Sequence, residues 1–275
     1  MHKPIIVHEL GINCNGSLEI AKKLIDNAIE TGADFVKFQK RSIDLVYSKE
    51  ELDKPRESPW GTTTRQQKEG LEFNKEQYQE IDNYCKSKGI SWFASPWDTE
   101  SLKFLVDFDI PYIKIPSALN TNLNLLNSIK ETKIPVIIST GMTSKEEIDS
   151  VISILGDQIK FILSCTSTYP SKDEEMNLKR ILTLKEIYGD RFRIGFSNHH
   201  PGITHIIASA ALGAEMIEFH TTLDRSMYGS DQSASIEKTG CRAIQSHINS
   251  IVNGWGDGKI GCIDSEVPIM KKLRK

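Results

Sequence analysis

Short β-branched or apolar runs recur along the chain at 4–9, 34–39, 90–94, 111–115, 135–139, 159–164, 192–196 and 215–219. Each is the length of a buried strand. Between them, apolar residues return at helical spacing over 17–31, 75–88, 98–108, 121–131, 143–155, 177–188, 201–213 and 236–253. Ser144 stands before KEEIDSVISIL as an N-cap, and Gly32 and Gly89 follow the first and second helices as stops. Eight strands alternating with eight helices predict a parallel sheet, and the count and regularity favour a closed (β/α)8 TIM barrel over an open doubly wound sheet.

With 275 residues the chain is expected to form a single barrel domain, 1–275. Two stretches fall outside the alternation. One is a long irregular insertion at about 40–74, between the second strand and its helix, a place where a long connection is usually functional. The other is a tail from about 254, rich in Gly and then basic, expected to pack against the barrel. Hydrophobic residues make up 39% and charged residues 26%, which excludes disorder and low-complexity scaffolds. A net charge of −3 with no long charged block leaves no footprint for nucleic acid or a membrane surface. Five cysteines without a CxxC pair, no signal-peptide pattern and no span-length apolar stretch lead to the expectation of a cytoplasmic protein.

Barrels of this kind build their sites at the C-terminal ends of the strands. The predicted ends carry Glu9, then Lys37 and Gln39, Ser95, Lys114 with Ser117, Ser139 with Thr140, Thr166 to Tyr169, Ser197 to His199, and His220. Lys37 and Gln39 share one strand face, and Lys114 lies between Ile113 and Ile115, so both lysines are expected to point inward. Buried lysines among serine hydroxyls call for a multiply charged anion, such as a phosphate with a carboxylate; the alternative is a structural ion pair with Glu9. His199 and His220 end adjacent strands and are placed to converge on a divalent ion. His2, His8, His200, His205 and His247 have no partner in this pattern, and no histidine is placed as a base for Cys165.

The motifs ELGINCNG at 9–16, VKFQ at 36–39, FASPWD at 93–98, KIPS at 114–117, STGM at 139–142, SCTSTYP at 164–170, FSNHHPG at 196–202 and EFHTTLDRSMYGSDQSAS at 218–235 occur in one order. In that combination the chain resembles the N-acetylneuraminate (sialic acid) synthases, (β/α)8 barrels that condense phosphoenolpyruvate with an acylamino-sugar. The resemblance implies a divalent metal on His199 and His220, Mn²⁺ first with Mg²⁺ or Co²⁺ as alternatives. It implies a phosphoenolpyruvate site of Lys37, Ser95, Lys114, Ser117, Ser167 and Ser197, and a sugar side of Gln39, Tyr169 and Asp231. Glu9, Lys114 and His220 become the catalytic candidates, with Glu9 handling water or a proton. A homodimer and small-molecule substrates alone are the partners implied.

Three positions depart from the family's habit: Leu119 where an acidic residue is usual, Cys14 where His is common, and Ser167 where Asn is common. Many family members also carry a C-terminal antifreeze-like domain, and this sequence stops at Lys275. Three rival readings remain at this level. One is a phosphoenolpyruvate-using 3-deoxy-ulosonate phosphate synthase, which needs a second basic cluster that the sequence does not reveal. The others are a Schiff-base aldolase using Lys37 or Lys114, and a non-catalytic sugar- or anion-binding barrel.

Overall fold

In the computed structural model, which describes residues 2–274, the eight expected strands are present as β1 Ile5–Glu9, β2 Phe35–Lys40, β3 Ser91–Pro96, β4 Ile113–Ile115, β5 Val136–Ser139, β6 Ile159–Cys165, β7 Arg193–Asn198 and β8 Met216–Thr222. All neighbours are parallel, and β1 pairs with β8, with Glu9 opposite His220, so the sheet closes on itself. The helices are α1 Leu18–Glu30, α2 Lys75–Lys88, α3 Thr99–Leu105, α4 Leu123–Thr132, α5 Lys145–Leu155, α6 Lys179–Tyr188, α7 Thr204–Ala211 and α8 Lys238–Asn253. The chain is therefore a (β/α)8 barrel. No helix among the described residues is long and apolar enough to cross a membrane.

Strand alternation sorts the barrel interior into layers. Phe35, Phe93, Tyr112 and Phe161 meet edge to face, with ring centroids 5.7–6.1 Å apart, and form an aromatic floor. The inward positions nearer the C-terminal rim include Lys37, Ser95, Lys114, Ser139 and Cys165. A two-residue step along β2, β3 and β4, and a four-residue step from Phe161 to Cys165 along β6, thus turns the barrel from apolar packing to polar chemistry. Outward positions such as Val36, Phe38 and Phe219 are buried beneath the helices. The helix starts follow local rules: Ser144 caps α5 and Asn74 caps α2, each in a reciprocal capping box, an arrangement worth about 1 kcal/mol per cap.

The insertion at 40–74 differs from the expected irregular loop. It folds into two single helical turns, Ile43–Val46 and Lys49–Leu52, a hairpin of Pro55–Ser58 with Gly61–Thr63, and the helix Thr64–Leu71. Its polar turns and short elements carry too little hydrophobic period to be read from sequence. It is pinned at both ends: the Asp98 carboxylate accepts from the Ser42 backbone N–H at 2.7 Å, and Lys40 pairs with Glu72 at 3.1 Å. Gly16, at φ +62°, allows the loop after β1 to lie against it, because a Cβ there would sit 2.0 Å from the Gly70 carbonyl.

The tail also departs from expectation. Residues after α8 do not pack under the barrel: Trp255, Ile260, Ile263, Ile269 and Leu273 are exposed, and the helix Val267–Leu273 buries none of its residues.

Candidate active site

A pocket opens at the C-terminal rim directly above the polar layer. Lys37, Gln39, Ser95, Lys114, Ser117, Ser167, Tyr169, Ser197, His199 and His220 all line it, so ten of the expected site residues converge on one cavity of about 230 Å³. Two do not. Asp231 lines an adjoining cleft, and its carboxylate lies 3.5 Å from His220 Nδ1. Glu9 is fully buried behind the pocket wall, where it pairs with Lys37 Nζ at 2.6 Å and accepts from Gln39 Nε2 at 2.7 Å. Glu9 was expected to face the sugar or handle water; the structure places it behind the wall, where it orients two residues that do face the pocket. The structural ion pair weighed for Lys37 exists, on a lysine that still lines the cavity.

Glu218 was not singled out from the sequence, and it organises the charge of the site. It stands one inward step before His220 on β8, 3.4 Å from Lys37 Nζ and 3.6 Å from Lys114 Nζ, and accepts from Ser197 Oγ at 3.2 Å. Burial works to raise its pKa, but the charges of Lys114 and Lys37, with those of His220 and His199, outweigh burial and hold it down to about 2. Its signal was the alternation Met216–Glu218–His220, masked by the apolar run around it.

The lysines are not equivalent. Burial acts against the charge of Lys37, but Glu218 and Glu9 more than restore it, and its pKa is raised. For Lys114, burial dominates; Glu218 opposes it, Lys37 reinforces it, and the pKa falls. Lys114 Nζ donates to Ser139 Oγ at 2.7 Å, and Lys37 Nζ to Ser95 Oγ at 3.5 Å. Two ammonium groups and a ring of hydroxyls thus share a cavity with a single flanking carboxylate on its wall, an arrangement that favours an incoming anion.

The loop after β5 adds close packing. Gly141 N–H donates to Ser117 Oγ at 2.9 Å, and a Cβ on Gly141 would meet Ser167 Oγ at 2.2 Å and Ser117 Oγ at 2.9 Å. Only glycine lets those two hydroxyls close around the cavity there.

The two histidines lie beside each other, with ring centroids 5.4 Å apart. His199 Nδ1–H donates to the Thr166 carbonyl at 2.6 Å, which leaves the Nε2 lone pair facing the Tyr169 hydroxyl at 2.7 Å. His220 Nδ1 is buried without a hydrogen-bond partner; burial holds its pKa down against the pull of Asp231 and Glu9. A neutral imidazole with an orphaned nitrogen beside an imidazole whose Nε2 meets only a hydroxyl is a donor set suited to a divalent cation.

Other pairings revise the sequence reading. Cys165 Sγ lies 3.7 Å from His199 Nδ1, so a histidine does stand beside it. Burial favours its thiol, but His199 and Lys114 lower its pKa to about 7. His200 and His205 are not without partners: their Nε2 atoms approach Asp173 at 3.1 and 3.4 Å. Leu119 packs against the core, and Cys14 is buried, its thiol pushed up by burial and by Glu9.

A closed parallel barrel with a lysine-paired anion pocket and two histidines at its rim defines a class of enzyme-like barrels that bind a small anionic substrate beside a candidate cation site. The chain belongs to the NeuB family, whose pattern matches residues 24–260. It is 34% identical to the N-acetylneuraminate-9-phosphate synthase of Homo sapiens over 279 residues, covering all of this chain and 77% of that protein. It is also 34% identical to the N,N'-diacetyllegionaminic acid synthase of Campylobacter jejuni over 287 residues, covering all of this chain and 84% of that protein. The crystal structure of the N-acetylneuraminic acid (sialic acid) synthetase from Leptospira borgpetersenii, determined with citrate, superposes with a TM-score of 0.84 at 29% identity, over all of this chain and 93% of that one. The family is that of the sialic acid synthases, as the motifs implied.

Proposed function

We propose that the protein condenses phosphoenolpyruvate with the open-chain aldehyde of an acylamino-sugar, N-acetylmannosamine or a related hexose, to give a nonulosonic 2-keto sugar acid and phosphate. The observation that carries this is the pair of buried lysines, Lys37 and Lys114, lining one cavity with the hydroxyls of Ser95, Ser117, Ser167 and Ser197 next to His199 and His220. Membership of a family whose relatives are named as synthases of such acids supports it.

In this reading the lysines and serines grip the phosphate and carboxylate of phosphoenolpyruvate and hold its enol carbon toward the aldehyde. Catalysis is then mainly positioning and electrostatics. The enol carbon attacks the aldehyde carbon and forms the C–C bond, water adds to the resulting oxocarbenium carbon, and phosphate leaves by C–O cleavage. Glu218 keeps the two ammonium groups in place, and Glu9 fixes Lys37 and Gln39. Gln39 and Tyr169 flank the acceptor. His199 and His220 would hold a divalent ion, Mn²⁺ by preference, which supplies Lewis-acid polarisation of an aldehyde oxygen.

The test is phosphate release from phosphoenolpyruvate with Mn²⁺ across N-acetylmannosamine, its 6-phosphate, diamino-dideoxy hexoses and pentose phosphates, each with and without chelator. Release with an acylamino-sugar, abolished by chelator, is expected. Release with pentose phosphates alone would replace this reading with a 3-deoxy-ulosonate phosphate synthase. A covalent pyruvate adduct trapped by borohydride would replace it with Schiff-base chemistry.

A further inference from the structure

Outside the pocket, three side chains from three segments of the chain bring their ligating atoms within 4.8 Å of one another. Asp173 opens the single turn Asp173–Glu175 in the loop after β6, His200 lies two residues past the end of β7, and His205 is the second residue of α7. Neither imidazole lines the pocket, although His200 is next in sequence to His199. Asp173 Oδ1 lies 3.1 Å from His200 Nε2 and 3.4 Å from His205 Nε2, and the two rings meet edge to face with centroids 4.5 Å apart. A zinc ion with bonds of about 2.0–2.1 Å sets its tetrahedral ligands roughly 3.3 Å apart, so both edges that meet at Asp173 already have the required length.

The surroundings prepare these donors. The side chains of His200 and His205 are only 17% and 12% exposed, while that of Asp173 is 79% exposed and leaves an ion a way in. Burial, then the neighbouring His200, hold the pKa of His205 down against Asp173, so its ring is neutral at pH 7 and offers a lone pair. The Asp173 turn is fixed from behind. Thr166 Oγ1 donates to the Glu175 carbonyl at 2.9 Å, and Thr168 Oγ1 and the Lys172 N–H donate to the Glu175 carboxylate at 2.8 and 2.9 Å. One bond stands against the site: His200 Nδ1 accepts from the Gly202 N–H at 2.9 Å. A metal on Nε2 requires the ring proton on Nδ1, so that bond is given up, at roughly a tenfold cost in affinity. Two imidazoles and a carboxylate, a donor set that holds zinc in enzymes, bind tightly enough to absorb that loss.

We infer that Asp173, His200 and His205 form a peripheral cation site, separate from the His199 and His220 pair, that takes Zn²⁺ and clamps the loop after β6 to the loop after β7. Two nitrogen donors disfavour Mg²⁺ and Ca²⁺, and for one and the same donor set Mn²⁺ binds far more weakly than Zn²⁺. The two loops already touch, since the Ser171 N–H donates to the His199 carbonyl at 3.0 Å. The loop after β6 carries Ser167 and Tyr169 into the pocket, so an ion at this site steadies one wall of the pocket without touching a substrate. The inference does not depend on which reaction the pocket performs.

The test titrates Zn²⁺ by calorimetry into His220→Ala, which breaks the histidine pair of the pocket, and into the same variant carrying His205→Ala or Asp173→Asn as well. His220→Ala is expected to bind one equivalent with a Kd of roughly micromolar; His205→Ala should weaken that binding by about a hundredfold and Asp173→Asn by about tenfold. Asp173 is exposed, so Asp173→Asn keeps the fold even where loss of the half-buried His205 does not. In the wild type, Zn²⁺ should slow backbone hydrogen exchange over 172–176 by about tenfold or more, and Asp173→Asn should remove that protection. Absence of Zn²⁺ binding to His220→Ala, or one affinity shared by all three proteins, overturns the site. Protection of 172–176 that survives Asp173→Asn overturns the clamp.

Discussion

Glu218 touches both lysines, and its place in the charge balance makes two outcomes measurable. Its carboxyl is held at about 2 in the folded chain against an ordinary 4.5, so the stabilisation it provides is complete above pH 4.5 and drains away as the pH falls toward 2. Glu218→Gln should therefore flatten the pH dependence of the urea midpoint across that window; an unaltered slope would remove Glu218 from the ion network. At neutral pH the same variant leaves Lys114 without a carboxylate partner and Lys37 with Glu9 alone, at a cost on the order of 3 kcal/mol. Phosphoenolpyruvate replaces the missing charge, so its addition should raise the Tm of Glu218→Gln by more than that of the wild type. Equal shifts would show that the lysines do not meet the ligand.

The histidines make a separate prediction at the same scale. His199→Ala or His220→Ala should abolish Mn²⁺ binding, read by calorimetry or paramagnetic relaxation, and turnover with it, while the far-UV spectrum stays that of the barrel. Mn²⁺ affinity preserved in both variants would move the cation elsewhere.

At the scale of elements, the strands and main helices were legible because each buries a regular face: an inward residue such as Lys114 is announced by Ile113 and Ile115 on either side, both fully buried. The rim residues were legible for the same reason, since strand ends fix where side chains point. What escaped was whatever depends on contact between elements. Cys165 and His199 are adjacent only because β6 and β7 pair with Cys165 opposite Ser197. Asp173 meets His200 and His205 only because the loop after β6 folds back beside the loop after β7. Glu9 reads as a rim residue from its position, and only the packing of Lys37 and Gln39 over it shows that it lies behind the wall.

The loop after β5 gives this scale its own test. With Gly141 closed against Ser117 and Ser167, Gly141→Ala must push at least one hydroxyl aside. Phosphoenolpyruvate binding should weaken by about tenfold, the loss of roughly one charge-assisted hydrogen bond, while thermal stability changes little because the loop lies at the rim. Unchanged affinity by calorimetry would place the anion elsewhere in the cavity.

For the whole molecule, the closed barrel and the tail are energetically separable. Stability scales with the surface removed from water on folding, and the hydrophobic core runs from the barrel strands outward to the inner faces of α1 through α8. Residues beyond α8 take almost no part: Ile260, Ile263 and Leu273 remain exposed, and Trp255 is half-exposed. α8 itself belongs to the barrel, since Cys241, Ile244 and Ile248 are buried. Removal of residues 256–275 should therefore leave the Tm within about 2 °C, a change of well under 1 kcal/mol for a domain of this size. It should also leave the urea m-value unaltered, because no buried surface is lost. A fall of about 10 °C would mean that the tail covers apolar surface in solution. A fall that grows with dilution of the full chain would place that surface on a second copy, because only association makes stability depend on concentration.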